Sequence, residues 1–173
     1  MPKIQSVLFD LDGTVADTAP DLAAAANSLR LADGVPPLSV EILRPFASQG
    51  ARGLLKEAVG LTPDDPGFEH ARLRFLAYYE NNLCVHTRLF PGIEPLLAGI
   101  ENRGTPWGIV TNKPMLYTDA LLPLIGLGHA ACAISGDTTP HAKPHPEPLY
   151  EAARRLQLRP EECWYVGDDL RDI

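Results

Sequence analysis

The sequence predicts an α/β fold: a parallel sheet covered by helices, with an all-helical segment inserted after the first strand. Three observations carry this reading. The chain opens on an apolar run, Val7-Leu8-Phe9, that stops at Asp10, the pattern of a short strand buried on both faces. Between Asp17 and Leu83 apolar residues recur at helical spacing with no convincing strand among them. From Phe90-Pro91-Gly92 onward strand-like and helix-like runs alternate, as they do where parallel strands are joined by crossover helices. The implied organisation is a core made of residues 1–16 and 88–173 and a helical block over residues 17–87.

Within the helical block, Thr18 stands where a helix N-cap is expected, Pro20 suits the first turn and Asp21 complements the helix dipole. Leu22, Ala25, Ala26 and Leu29 follow on one face, and Asp33-Gly34 ends the helix. After Pro36-Pro37, Ser39 is positioned to cap a short segment reaching Arg44. Ala51–Val59 reads as a helix closed by Gly60, and Phe68, Arg72, Phe75, Tyr79 and Leu83 mark a longer one. In the second half, the predicted order is helix 93–101, strand 107–110, helix 114–125, strand 132–134, helix 146–156 and strand 163–166.

The 173 residues are 45% hydrophobic, enough for a globular core. A net charge of −7 and a pI near 5.1 offer no basic stripe to neutralise phosphates, so a nucleic-acid partner is not expected. The three cysteines, Cys84, Cys132 and Cys163, form neither a C-x-x-C pair nor a disulfide framework, which fits a reducing compartment. The N-terminus lacks a signal-peptide pattern, and no apolar run approaches the roughly 20 residues of a membrane span. These features predict a cytoplasmic protein with no membrane partner.

In open α/β sheets, ligands bind at the carboxyl ends of the strands. After Val7–Phe9 come Asp10 and Asp12, which an extended chain points to the same side. Two carboxylates that close are unfavourable without a cation or proton between them, and a hard divalent ion such as Mg²⁺ suits oxygen ligands. After the second core strand come Thr111-Asn112-Lys113; the loop after the third leads to Lys143-Pro144; after the fourth come Gly167-Asp168-Asp169, with Asp172 beyond. Taken singly, each has a plain structural role: Thr111 as a cap for the helix near Pro114, Lys143 as an exposed loop lysine, Asp168 or Asp169 as helix caps, Asp17 as a fixing residue at the turn into the helical block. His86, His141 and His145 lack zinc spacing and read as loop residues.

Together the four sites resemble the ordered motifs of the haloacid dehalogenase superfamily of phosphohydrolases. Asp10-Leu11-Asp12-Gly13-Thr14-Val15-Ala16-Asp17-Thr18 matches the first, Thr111 within Val110-Thr111-Asn112-Lys113 the second, Lys143-Pro144-His145-Pro146 the third, and Gly167-Asp168-Asp169-Leu170-Arg171-Asp172 the fourth. The resemblance spans the chain and implies a Rossmann-like core with a helical cap. It also implies that Asp10 is the nucleophile, forming an aspartyl-phosphate, and that Asp12 is the general acid and then base. By the same resemblance, Mg²⁺ is held by Asp10, Asp168 and the backbone carbonyl of Asp12, while Thr111, Asn112 and Lys143 hold the phosphoryl group of a small-molecule phosphate ester. Asp172 reads as a supporting group or auxiliary ligand.

Within the family the chain is most similar to phosphoglycolate phosphatase-like proteins. Gly50-Ala51-Arg52, Val85-His86-Thr87-Arg88-Leu89-Phe90 and the Gly167-Asp168-Asp169 form look like the branch acting on N-acetylmuramic acid 6-phosphate. Arg52, at a loop-to-helix junction, is expected to pair with a substrate carboxylate; a solvated surface arginine is the alternative. Phosphoglycolate also bears a carboxylate, and a phosphomutase remains a third reading. Family members continue with another strand–helix unit, so the sequence reads as stopping short of the family pattern at Ile173. That would leave the last strand an exposed edge and keeps an inactive fragment among the readings.

Overall fold

The computed structural model describes residues 3–173. In chain order the elements are β1 (Ser6–Phe9), β2 (Ala16–Asp17), α1 (Ala19–Ala32), α2 (Val40–Leu43), α3 (Gly50–Val59), α4 (Phe68–Asn81), β3 (Arg88–Leu89), α5 (Ile93–Glu101), β4 (Trp107–Val110), α6 (Met115–Leu124), β5 (Cys132–Ile134), α7 (Glu147–Arg155) and β6 (Cys163–Val166). The chain divides into two compact units, Met1–Ala16 with Leu89–Ile173, and Asp17–Arg88. No helix among the described residues is long and apolar enough to cross a membrane.

The first unit is a parallel four-stranded sheet in the order β5-β4-β1-β6, flanked by helices. Its registers align the strand ends: Phe9 lies opposite Ile109 on one side and Val166 on the other, and Val110 lies opposite Ile134. On one face Leu8, Val110, Cys132 and Ile134 pack with Ala152 of α7, and Leu149, Leu156, Cys163 and Tyr165 close around them. The strands are short, continuous apolar runs because helices cover the sheet and leave no face to hydrate. The exception is edge strand β6, where Trp164 is 62% exposed; its exposed and half-buried residues alternate strictly.

The second unit is built from α1 to α4. Leu22, Ala25, Ala26 and Leu29 of α1, Leu54, Leu55 and Ala58 of α3, and Phe68, Ala71, Phe75 and Tyr79 of α4 are all buried. Gly60 closes α3 in a left-handed conformation at φ +71°, where glycine carries no Cβ penalty. Thr18 and Ser39 occupy the N-cap positions expected of them, but neither side chain caps its helix. The short segment after Ser39 stops at Leu43 and tightens into a 3₁₀ turn, Arg44–Gln49. Two-residue strands β2 and β3, absent from the sequence reading, pair with each other where the chain passes between the units. They are too short to show an alternation pattern.

Asp21 explains how the second unit holds its returning segment. Its carboxylate, 1% exposed, accepts hydrogen bonds from the backbone N–H groups of His86 and Thr87 and from the Thr87 hydroxyl, at 2.8–3.1 Å. Asp17, in the same unit, forms a two-pronged ion pair with Arg44 at 2.5 and 3.0 Å.

Candidate active site

Because the sheet is parallel and its registers align, the residues that follow β1, β4 and β6 emerge at one edge. The ladder runs one bond past the strands: Asp10 N–H donates to Val166 O and Thr111 N–H to Ile134 O, both at 2.9 Å. Asp10 is therefore fixed by backbone pairing before its side chain makes any contact. It is 6% exposed, and Thr111 and Lys143 are 2% and 6% exposed.

Lys143 is the centre of the charge arrangement. Its ammonium lies 2.8 Å from Asp10 Oδ1 and 2.7 Å from Asp172 Oδ1, and it donates to the Tyr165 hydroxyl at 2.6 Å. Tyr165 Oη lies 2.8 Å from Asp172 Oδ1 and 3.1 Å from Val110 O, so its one proton has two acceptors within reach. The lysine is delivered here by its backbone. The Asn112 side-chain amide donates to Lys143 O and accepts from Lys143 N–H, each at 2.9 Å, and the Lys143–Pro144 peptide is cis. Asn112 thus spends its side chain on the loop that carries Lys143, leaving its backbone as the part available for a bound group.

Asp168 faces the same space. Its Oδ1 accepts from the Thr14 hydroxyl at 2.7 Å, and a Cβ on Gly13 would stand 2.5 Å from Asp168 Oδ2. Gly13 is required twice, for that approach and for its φ of +93°. Asp10, Asp168 and Asp172 each offer a carboxylate oxygen within 4.8 Å of the others. Both Asp172 oxygens are already engaged, Oδ1 by Lys143 and Tyr165 and Oδ2 by the Asp169 N–H. The Asp12 carboxylate is not one of these three; it meets the Lys113 ammonium at 2.9 and 3.1 Å.

These surroundings set the ionisation of the site. Burial pushes the Asp10 carboxyl up to about 6, against the opposing pull of the Lys143 ammonium. Burial alone would also raise Asp172, but hydrogen bonds from Lys143, the Asp169 N–H and Tyr165 outweigh it and hold the group below its usual value. The Tyr165 phenol is driven upward, first by burial and then by the negative charge of Asp10. Tyr165 therefore stays a neutral hydroxyl.

The remaining sequence-predicted residues fall elsewhere. Arg52 lies in the first turn of α3, exposed, in the other unit. Asp169 caps the terminal 3₁₀ turn, Leu170–Asp172, by accepting from Arg171 N–H. The rings of His141 and His145 lie 4.5 Å apart. Sequence reasoning assigned no task to Tyr165 or Lys113. The signal for Tyr165 was its place in the strand leading into Gly167-Asp168, on the opposite face from exposed Trp164; for Lys113 it was an ammonium two residues after Thr111.

The haloacid dehalogenase-like hydrolase family model matches residues 4–173. Over 172 residues the chain is 41% identical to an N-acetylmuramic acid 6-phosphate phosphatase of Pseudomonas putida, covering 99% of this chain and 77% of that protein. It is 43% identical over 171 residues to a phosphoglycolate phosphatase of Xanthomonas campestris pv. campestris, covering 98% and 76%. The crystal structure of a predicted phosphoglycolate phosphatase from Haemophilus somnus superposes with a TM-score of 0.85 at 32% identity, covering 100% of this chain and 80% of that one.

Proposed function

Since the chain belongs to the haloacid dehalogenase-like hydrolases, whose members similar to it are named phosphatases, we propose that it hydrolyses N-acetylmuramic acid 6-phosphate through an aspartyl-phosphate on Asp10, with Mg²⁺ as cofactor. The observation that carries the mechanism is Asp10 itself: a buried carboxylate at the end of β1, held by backbone pairing, with the Lys143 ammonium at 2.8 Å.

The donor set fits a divalent ion. Three carboxylates and one ammonium leave two negative charges, and all the donors are hard oxygens. Asp10, Asp168 and the Asp12 carbonyl would hold the ion, with Asp172 supporting them through Lys143. Bound there, Mg²⁺ supplies Lewis-acid charge that offsets the repulsion between a carboxylate and a phosphate dianion. The protein's own groups do the rest. Asp10 attacks phosphorus; Thr111, the Asn112 backbone and Lys143 hold the phosphoryl oxygens; Asp12 protonates the departing ester oxygen and then takes a proton from the attacking water. A cytoplasmic location accompanies this reading.

The assignment of substrate rests on similarity to the N-acetylmuramic acid 6-phosphate phosphatases and on the Gly50-Ala51-Arg52 and Gly167-Asp168-Asp169 segments. We assign Arg52 to the substrate carboxylate. Phosphoglycolate is the second reading, favoured by comparable identity to phosphoglycolate phosphatases. A phosphate-release screen with Mg²⁺ over N-acetylmuramic acid 6-phosphate, phosphoglycolate and simple sugar phosphates tests both. The expected result is preference for the first. Equal rates on all would contradict specificity encoded in the helical unit, an isomerised sugar phosphate would indicate a mutase, and a folded chain inert toward every ester would overturn the phosphatase mechanism.

A further inference from the structure

The two lysines at the sheet edge divide its first two aspartates between them. Lys143 takes Asp10 and Asp172, while Lys113 takes Asp12. Lysine is among the residues least often buried, and an ammonium withdrawn from water is costly unless paired. Lys113 is nevertheless 8% exposed, and its Nζ lies 2.9 and 3.1 Å from the two Asp12 oxygens.

Both ends of this contact are anchored through the backbone. Lys113 N–H donates to Thr111 Oγ1 at 3.1 Å, and Lys113 O accepts from Gly136 N–H at 2.9 Å and from the Thr118 hydroxyl at 3.2 Å. Gly136 packs so closely on the Asn112 carbonyl that a Cβ there would collide with it. On the other side, Asp12 bridges to Ala16, and Gly13 N–H donates to Ala16 O at 3.0 Å. An ammonium on a fixed stem, touching both oxygens, leaves the carboxylate one orientation.

We propose that Lys113 is a positioning residue that acts on the reaction through Asp12. This rests on the phosphomonoesterase reading above. As the bond from Asp10 to phosphorus forms and the bond to the ester oxygen breaks, the breaking bond's electron pair stays on that oxygen, which takes the Asp12 proton. Asp12 ends the step as the carboxylate that Lys113 holds. Water then attacks phosphorus, its proton passes to Asp12, and the electron pair of the Asp10–phosphorus bond returns to Asp10. Over the cycle the one water supplies both protons: one recharges Asp12, which has given its own to the alcohol, and one stays on the released phosphate. General acid catalysis depends first on geometry, so Lys113 contributes by keeping Asp12 aimed.

The test is the dependence on leaving group. A sugar alkoxide must be protonated to depart, whereas p-nitrophenolate leaves without a proton. The value of kcat/KM covers steps only through that departure, so slow hydrolysis of the aspartyl-phosphate does not mask the effect. Lys113→Met should lower kcat/KM for N-acetylmuramic acid 6-phosphate by about 10²-fold, and for p-nitrophenyl phosphate by less than about threefold. Lys113→Arg should restore part of the loss on the sugar phosphate. Asp12→Asn should lower kcat/KM for the sugar phosphate at least as far, and adding Lys113→Met to it should cost nothing further. Retained turnover of the aryl ester by Lys113→Met reports that this variant folds, and circular dichroism reports it for Asp12→Asn. Equal losses on both esters, or no loss on either, would overturn the inference. Wild-type inactivity on both would instead overturn the functional reading beneath it.

Discussion

Asp10 in the core unit and Asp21 in the helical unit are both buried carboxylates, 6% and 1% exposed, yet their surroundings differ in kind. Asp21 accepts from two backbone N–H groups and a hydroxyl. Those donors are permanent dipoles fixed by the chain, so the charge is absorbed into the structure. Asp10 faces an ammonium and two further carboxylates, and burial lifts it to about 6. Its charge is balanced by ionic groups and remains available to an electrophile. The difference separates a carboxylate that holds a fold from one that does chemistry: burial is common to both, and the partners decide.

That contrast is broken most sharply by Asp10→Asn. Phosphate release should fall by about 10³-fold or more, because the nucleophile is gone, while the metal-free protein gains stability. The folded chain binds a proton at Asp10 between the ordinary value of 3.8 and about 6 that the unfolded chain does not. The Asp10 contribution to stability therefore falls as pH rises through that window, and above it the buried charge costs on the order of 3 kcal/mol. Asparagine recovers part of this, less the lost contact with Lys143. Thermal melts of metal-free wild type and variant should show the variant ahead at neutral pH, with the lead vanishing toward about pH 4. A lead independent of pH would remove burial of the charge as its cause.

Asp21→Ala should do the reverse. It leaves the buried Thr87 N–H and hydroxyl, and the part-buried His86 N–H, without their acceptor, a loss of about 2–4 kcal/mol in urea unfolding. The turnover number of the remaining folded protein should stay near wild type, since the core unit keeps its own contacts.

The smallest effect belongs to the exposed charge. Arg52→Ala should lower kcat/KM about tenfold on esters that carry a carboxylate. N-acetylglucosamine 6-phosphate, which has none, should be turned over unchanged. Equal losses on both would return Arg52 to the surface role its exposure also allows.

The core strands Trp107–Val110, Cys132–Ile134 and Cys163–Val166 and the helix Ile93–Glu101 were legible from hydrophobic pattern alone, because a buried parallel strand must be apolar on both faces and a covering helix on one. That Asp10, Asp12, Thr111 and Asp168 stand just past strand ends, with Lys143 farther along the loop after Cys132–Ile134, was legible for a related reason: parallel strands end together. What followed those strand ends could be read; which side chain met which could not. Only the tertiary structure decided that Asn112 clasps the Lys143 backbone, that Tyr165 reaches Lys143 and Asp172, and that Lys113 takes Asp12 while Lys143 takes Asp10. Those pairings join residues from 7 to more than 100 positions apart, and sequence spacing carries no information about contacts made by side chains from different loops. Strand periodicity is local and is written residue by residue, whereas the partner of a buried charge is chosen by the geometry of the folded edge.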